Sequence, residues 1–200
     1  MEVTVNQLAK DESEVKTLKV GQLTEDGLGM IFWVDPDNQE AGKAISLERW
    51  GGNPFEASIK LHNAFSTING IENTALYTDA GNNDAAALCT NLGEGWYLPA
   101  SEELGHLFDI YNGIARDNGF TNATPNQISD AEKASRATFD KNLTDLGGAV
   151  INAAAENGNG ESYWSSTENE DGQKARYVRF GKYGICLLYT SDAADDRISV

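Results

Sequence analysis

A mixed α+β domain, with small twisted antiparallel sheets and two to three flanking helices, is the architecture to which three features of this 200-residue chain point. The first is the stretch Gly95-Trp96-Tyr97-Leu98-Pro99-Ala100-Ser101-Glu102-Glu103-Leu104. Two large rings run into a proline, which steers the preceding residue away from the α region. A helix opens at once, with Ala100 or Ser101 at its start and two acidic residues in its first turn. The second feature is Tyr163-Trp164-Ser165-Ser166-Thr167-Glu168, an aromatic-then-hydroxyl strand start about seventy residues later. Two such segments suggest a core that closes on itself. The third is a set of short apolar strands bounded by turn residues, lying on either side of segments with helical periodicity.

In chain order, Met1 to Gln7 alternates like a single strand, and Lys10 to Glu14 reads as a charged linker. A strand alone is not a domain. This one resembles the last strand of an immunoglobulin-like module of the kind found upstream in exported gut-bacterial proteins, so residues 1–19 are assigned to the tail of an upstream β domain plus linker. There is no basic start followed by an apolar stretch of the signal-peptide kind; if Met1 is an internal methionine, that says nothing about location.

The main domain is expected over residues 20–185. Gly29 to Asp35 is a continuous apolar strand, Pro36-Asp37-Asn38 supplies a turn, and Lys43 to Leu47 returns. Between Gly51 and Thr78, a helix over Ala57 to Phe65 and turns at Asn69-Gly70 and Asn73 are the expectation. Asp84 to Leu92 is a short helix with Ala85, Leu88, Cys89 and Leu92 at helical spacing and Gly93 after it. The next helix carries Leu104, Leu107, Phe108, Tyr111 and Ile114 on one face and is expected to reach about Arg116. After a polar loop from Asn118 to Gln127, Ser129 and Glu132 make a capping-box pattern for a third helix. Its stripe continues through Phe139, Leu143 and Leu146 until Gly147-Gly148. Asn157 to Gly160 reads as a turn, and Asn169 to Gly172 as a hairpin turn into Ala175 to Phe180. In that last strand Val178 and Phe180 point one way, Tyr177 and Arg179 the other.

The GWYLPASEEL and YWSSTE segments resemble the bacterial family named for the C-terminal domain of the Lcl collagen-like adhesin. The resemblance runs from about Val20 to Gly184. It implies a C-type-lectin-like fold in an exported protein, extracellular or anchored at the cell surface, and it implies fold more strongly than function.

Cys186 to Asp196 reads as the translation of a transposase-type sequencing adapter. Residues 186–200 are therefore set aside as a non-native tail, and the domain is expected to lack its final strand, leaving an open sheet edge. The whole chain has 15 basic and 31 acidic residues, net −16; without Asp192, Asp195, Asp196 and Arg197 the remainder is 14 basic and 28 acidic, net −14. Such a surface repels nucleic acid, anionic lipid and sulphated polysaccharide. The last of these is the ligand class associated with the adhesin that names the family. No apolar run is long enough to span a bilayer, so membrane insertion is not expected. Cys186 belongs to the tail, which leaves Cys89 as a buried core thiol with no disulfide or zinc partner.

Nothing in the sequence argues for catalysis. His62 and His106 are far apart in the chain. Ser165 and Ser166 do not sit in a G-x-S-x-G elbow, and there is no phosphate-binding loop, dinucleotide fingerprint or His/Cys metal spacing. Glu102 and Glu103 are adjacent, so they diverge around their helix, where they complement its dipole. The motifs of calcium-dependent sugar-binding lectins are absent. Asn169, Glu170 and Asp171 offer oxygen ligands, but a solvated turn explains them as simply. No enzyme, cofactor or metal is expected. Formylglycine-generating enzymes share the broad fold but need reactive cysteines.

The expected role is non-catalytic recognition of a glycan or protein. The candidate surface is the terminal hairpin, read as exposed: Asn169, Gln173, Lys174, Arg176, Tyr177, Arg179, Lys182 and Tyr183. A solvated hairpin in an acidic protein would look the same. Two alternatives accompany this reading: a structural or stalk-like module with no ligand, and a target of retroelement-driven diversification, known in some lectin-fold proteins. Trp96 and Trp164 are both expected in the core.

Overall fold

The structure, a computed structural model, describes residues 17–50, 61–77, 84–114, 129–151, 161–169, 175–180 and 187–190. The element order is β1 (Gly29–Val34), β2 (Gly42–Ser46), α1 (Gly70–Leu76), α2 (Ala85–Thr90), α3 (Ser101–Tyr111), α4 (Asp130–Asp145), β3 (Glu161–Glu168), β4 (Ala175–Phe180) and β5 (Leu187–Thr190). β1 and β2 form a two-stranded antiparallel sheet, and β3, β4 and β5 a three-stranded one with β4 in the centre. The α+β expectation of small antiparallel sheets with flanking helices holds at this level, although the described residues form four helices rather than the two to three expected. No described helix is long and apolar enough to cross a membrane.

The first hairpin turns where Asp35 and Asn38 satisfy local backbone. The Asp35 carboxylate accepts from Asp37 N–H at 2.9 Å and the Asn38 carbonyl from Glu40 N–H at 3.1 Å, the turn chemistry of short polar side chains. A register shift between Ile31 and Trp33 bulges β1.

α3 is the central packing element. Its stripe of Leu104, Leu107, Phe108 and Tyr111 packs with Met30 and Phe32 of β1, Phe139 and Leu143 of α4, and Tyr163, Val178 and Phe180 of the larger sheet. Phe180 meets Tyr163 at 5.0 Å and Phe108 at 5.3 Å in edge-to-face geometry, which suits ring quadrupoles. A second core lies on the opposite face of β3 and β4, where Trp164 and Tyr177 cross edge-on at 5.5 Å and pack among Ala64, Tyr77, Ala85, Ala86, Cys89 and Leu98. The paired strands are thus covered on both faces.

Several expectations change here. Residues 61–65 are not helical, and residues 57–60 lie outside those described. The helix instead starts at Gly70. The Asn69-Gly70 pair read as a turn is an N-cap, with Asn69 accepting from Glu72 N–H at 3.0 Å. α3 stops five residues earlier than expected, because Asn112-Gly113 closes it: Ile114 N–H donates to Asp109 and Gly113 N–H to Ile110, with Gly113 left-handed at φ 66°. That is a Schellman ending. Leu187–Thr190, expected to add no strand, pairs with β4 as β5. Backbone pairing is indifferent to a segment's origin, and Leu, Tyr and Thr suit a strand. Met1 to Glu14, Asn118 to Gln127, Asn157 to Gly160 and Glu170 to Gly172, with the elements expected there, lie outside the described residues, as do Gln173, Lys174, Lys182 and Tyr183.

Candidate functional site

The two signature segments are bonded to each other. Ser166 N–H donates to the Pro99 carbonyl at 2.8 Å, and Ser101 N–H donates to Thr167 Oγ1 at 3.0 Å. The Thr167 hydroxyl in turn donates to the Ser66 carbonyl at 2.8 Å. Tyr77 reaches the Ser166 carbonyl at 2.8 Å, and Ser165 donates to the Arg176 carbonyl at 3.1 Å. This happens where β3 departs from regular pairing: Trp164 faces Tyr177, but the next paired residue is Glu168, opposite Ala175. The small hydroxyl residues in that bulge replace ladder bonds with side-chain bonds, so the backbone groups they meet are paired despite full burial.

The acidic residues serve the same end. Glu103 accepts from Ala100 N–H at 2.9 Å, Gly70 N–H at 3.0 Å, Tyr97 OH at 2.9 Å and Lys43 Nζ at 3.0 Å. One carboxylate thus joins β2, the aromatic segment and the starts of α1 and α3. Ala100 has no side-chain oxygen, so only this returning half of a capping box forms. Gly70 is needed for the approach: a Cβ there would lie 2.5 Å from Glu103 Oε2 and 2.7 Å from Ala100 N. Glu102 accepts from the Thr67 hydroxyl at 2.7 Å. Glu168 is buried and accepts from His62 N–H at 3.0 Å and Ala64 N–H at 3.1 Å. It thereby holds a turn in which Asn63 has φ 62°. Helix-dipole complementarity, expected for the Glu102–Glu103 pair, is only part of their role.

Of the candidate hairpin residues, four can be placed. Asn169, Arg176 and Arg179 are half-buried. Tyr177 is 5% exposed and belongs to the second core, so the exposure expected of it is corrected. The two faces of β4 alternate as its pattern predicts, but the Tyr177 face is covered by α2, Tyr77 and Leu98 instead of being solvated. Arg179 lies over the Tyr177 ring, and its Nε donates to Ser162 across the strands at 3.2 Å.

A cleft of about 310 Å³ opens instead between β2 and the aromatic segment, lined among others by Trp50, Trp96, Tyr97, Lys43, Asp26 and Glu94. Trp96 is half-buried rather than in the core as expected. Its ring lies against Gly29, where a side chain would collide with it and with the Ile45 carbonyl, and its indole N–H donates to Asp26 at 2.8 Å. Asp26 also accepts from the Thr24 hydroxyl and from Leu28 N–H. These bonds, Thr24 first, hold the Asp26 carboxyl below the usual carboxylate range. Tyr97 is pushed up by burial and by Glu103 beside it, and burial pushes the Cys89 thiol up to about 12. The cleft was missed because nothing local marks it: Asp26, Trp50 and Trp96 meet only through the fold.

His106 packs against Trp33 at 5.5 Å, and burial lowers its pKa. The His62 ring lies beside that of Tyr77, 4.6 Å between centroids and tilted by 51°. Among the described residues no group of three or more His, Cys, Asp or Glu side chains could hold a metal ion.

Scans of the chain against protein-family models, curated proteins and solved structures gave no match.

Proposed function

We propose that this chain is a non-catalytic recognition module of C-type-lectin-like type, related to the Lcl C-terminal domain family and carried by an exported bacterial surface protein. The observation that carries the proposal is the aromatic-lined cleft beside a signature whose own polar groups are already bonded within the fold. The Thr167 hydroxyl and the Glu103 and Glu168 carboxylates are engaged with backbone groups of the fold itself. A cleft lined mainly by apolar and aromatic side chains, with a few placed polar groups, is the ordinary form of a binding site. The ligand is a glycan or a protein, bound at the cleft rather than at Tyr177.

The competing reading is a structural module with no ligand, which the same saturation of polar groups favours. A panel of immobilised glycans and proteins, probed with the wild-type chain and with Trp96→Ala, decides between them. Recognition predicts a hit that weakens in the variant. A wild-type chain that binds nothing on the panel overturns recognition and leaves the structural module.

A further inference from the structure

Resting on that reading, we propose that the cleft takes an organic cation, presented as a lysine or arginine side chain of a protein partner. Four rings line it, Trp50, Trp96 and Tyr97 together with the buried Phe32, and a cation over such rings is attracted by their quadrupoles. Trp96 is already immobilised by its seat on Gly29 and its bond to Asp26, so little ordering cost is left to binding. The charged groups in the lining are Asp26, Lys43, Glu94 and Glu103. Lys43 is paired with Glu103 at 3.0 Å, which leaves the carboxylates of Asp26 and Glu94, both on exposed residues, in excess.

The polar inventory argues against a sugar as occupant. A saccharide needs many free donors and acceptors, whereas the Trp96 N–H, the Tyr97 hydroxyl and the Glu103 carboxylate already have partners inside the fold. A cation needs mainly rings and negative charge. About 310 Å³ lies at the small end for ligand pockets, matching one long side chain better than an oligosaccharide. The net charge, −14 even without residues 186–200, draws cationic partners from a distance.

The test uses the full chain and the four tryptophan indole N–H resonances. It is titrated separately with a blocked glycine peptide carrying one lysine, the same peptide with norleucine, and a neutral malto-oligosaccharide. Saturable movement of the Trp96 and Trp50 signals with the lysine peptide alone is the expected result. Trp96→Ala should weaken that binding about tenfold and Glu94→Gln about threefold, with an unmoved Trp164 signal showing that the fold persists. Equal binding of the norleucine peptide overturns the cationic assignment, because the site is then merely apolar. Binding of the saccharide alone overturns it too, while leaving recognition intact. If no probe moves these signals, the assignment falls; the recognition reading falls separately, only if the wider panel is blank.

Discussion

Glu168→Ala tests whether the acidic end of the second signature is structural. Glu168 is 3% exposed; its carboxylate accepts from the N–H groups of His62 and Ala64 at 3.0 and 3.1 Å, while its backbone N–H donates to the Ala64 carbonyl at 2.8 Å. Alanine removes two charge-assisted bonds, each worth about 1.5–3 kcal/mol, and leaves both donors without that acceptor. Relief of carboxylate desolvation offsets part of this, so the net loss should be about 3 kcal/mol. With a urea slope of about 2 kcal/mol/M, the unfolding midpoint should fall by about 1.5 M. Glu168→Gln keeps one carbonyl oxygen for the two donors and should lose only about 1 kcal/mol. The assay is urea unfolding followed by tryptophan fluorescence, with the slope required to stay unchanged. An alanine midpoint within about 0.3 M of wild type would refute the reasoning, because the turn at Asn63 would then need no anchor.

Tyr177→Ala should cost about 3 kcal/mol, since it empties a site packed against Trp164; a loss below about 0.5 kcal/mol by the same unfolding assay would return Tyr177 to the surface. Asp26 has a depressed carboxyl pKa, so its contribution is present above the ordinary aspartate value and is lost as pH falls through the folded value. The Trp96 indole proton should therefore shift in acid with a midpoint below the usual carboxylate range, and a midpoint at or above that range contradicts the Asp26–Trp96 bond. Cys89 is buried with a thiol raised to about 12, so peptide mapping after alkylation should find it unmodified in the native protein and modified in urea. Rapid native modification would place it at the surface.

Much of the fold was legible because its signals are local. The capping box at Ser129 and Glu132 and the apolar stripe from Leu104 to Tyr111 act within a few residues of themselves. So does the Asp35–Asn38 turn. α1 was not legible, since its buried residues are Gly70, Asn73 and Thr74 while Ile71 and Leu76 face outward. A helix buried through polar residues has no apolar stripe to find. Glu103 and Glu168 were visible as acids but not as anchors: their partners lie across the fold, as far as 106 residues away. Tyr177 was misplaced because a period-2 pattern separates two faces without saying whether the second is covered. The cleft shares that obscurity, since Trp96 takes its position from Gly29 and Asp26, some seventy residues earlier.

The proposed recognition is placed at the Trp96 cleft and not at the hairpin of Tyr177 and Arg179. The most direct measurement is a backbone and indole NMR shift map of the full chain, recorded with the strongest hit from the glycan and protein panel. Saturable shifts centred on Trp50, Glu94 and Trp96, with Trp164 unmoved, are the expected result. Shifts confined to Arg176, Tyr177 and Arg179 would contradict it.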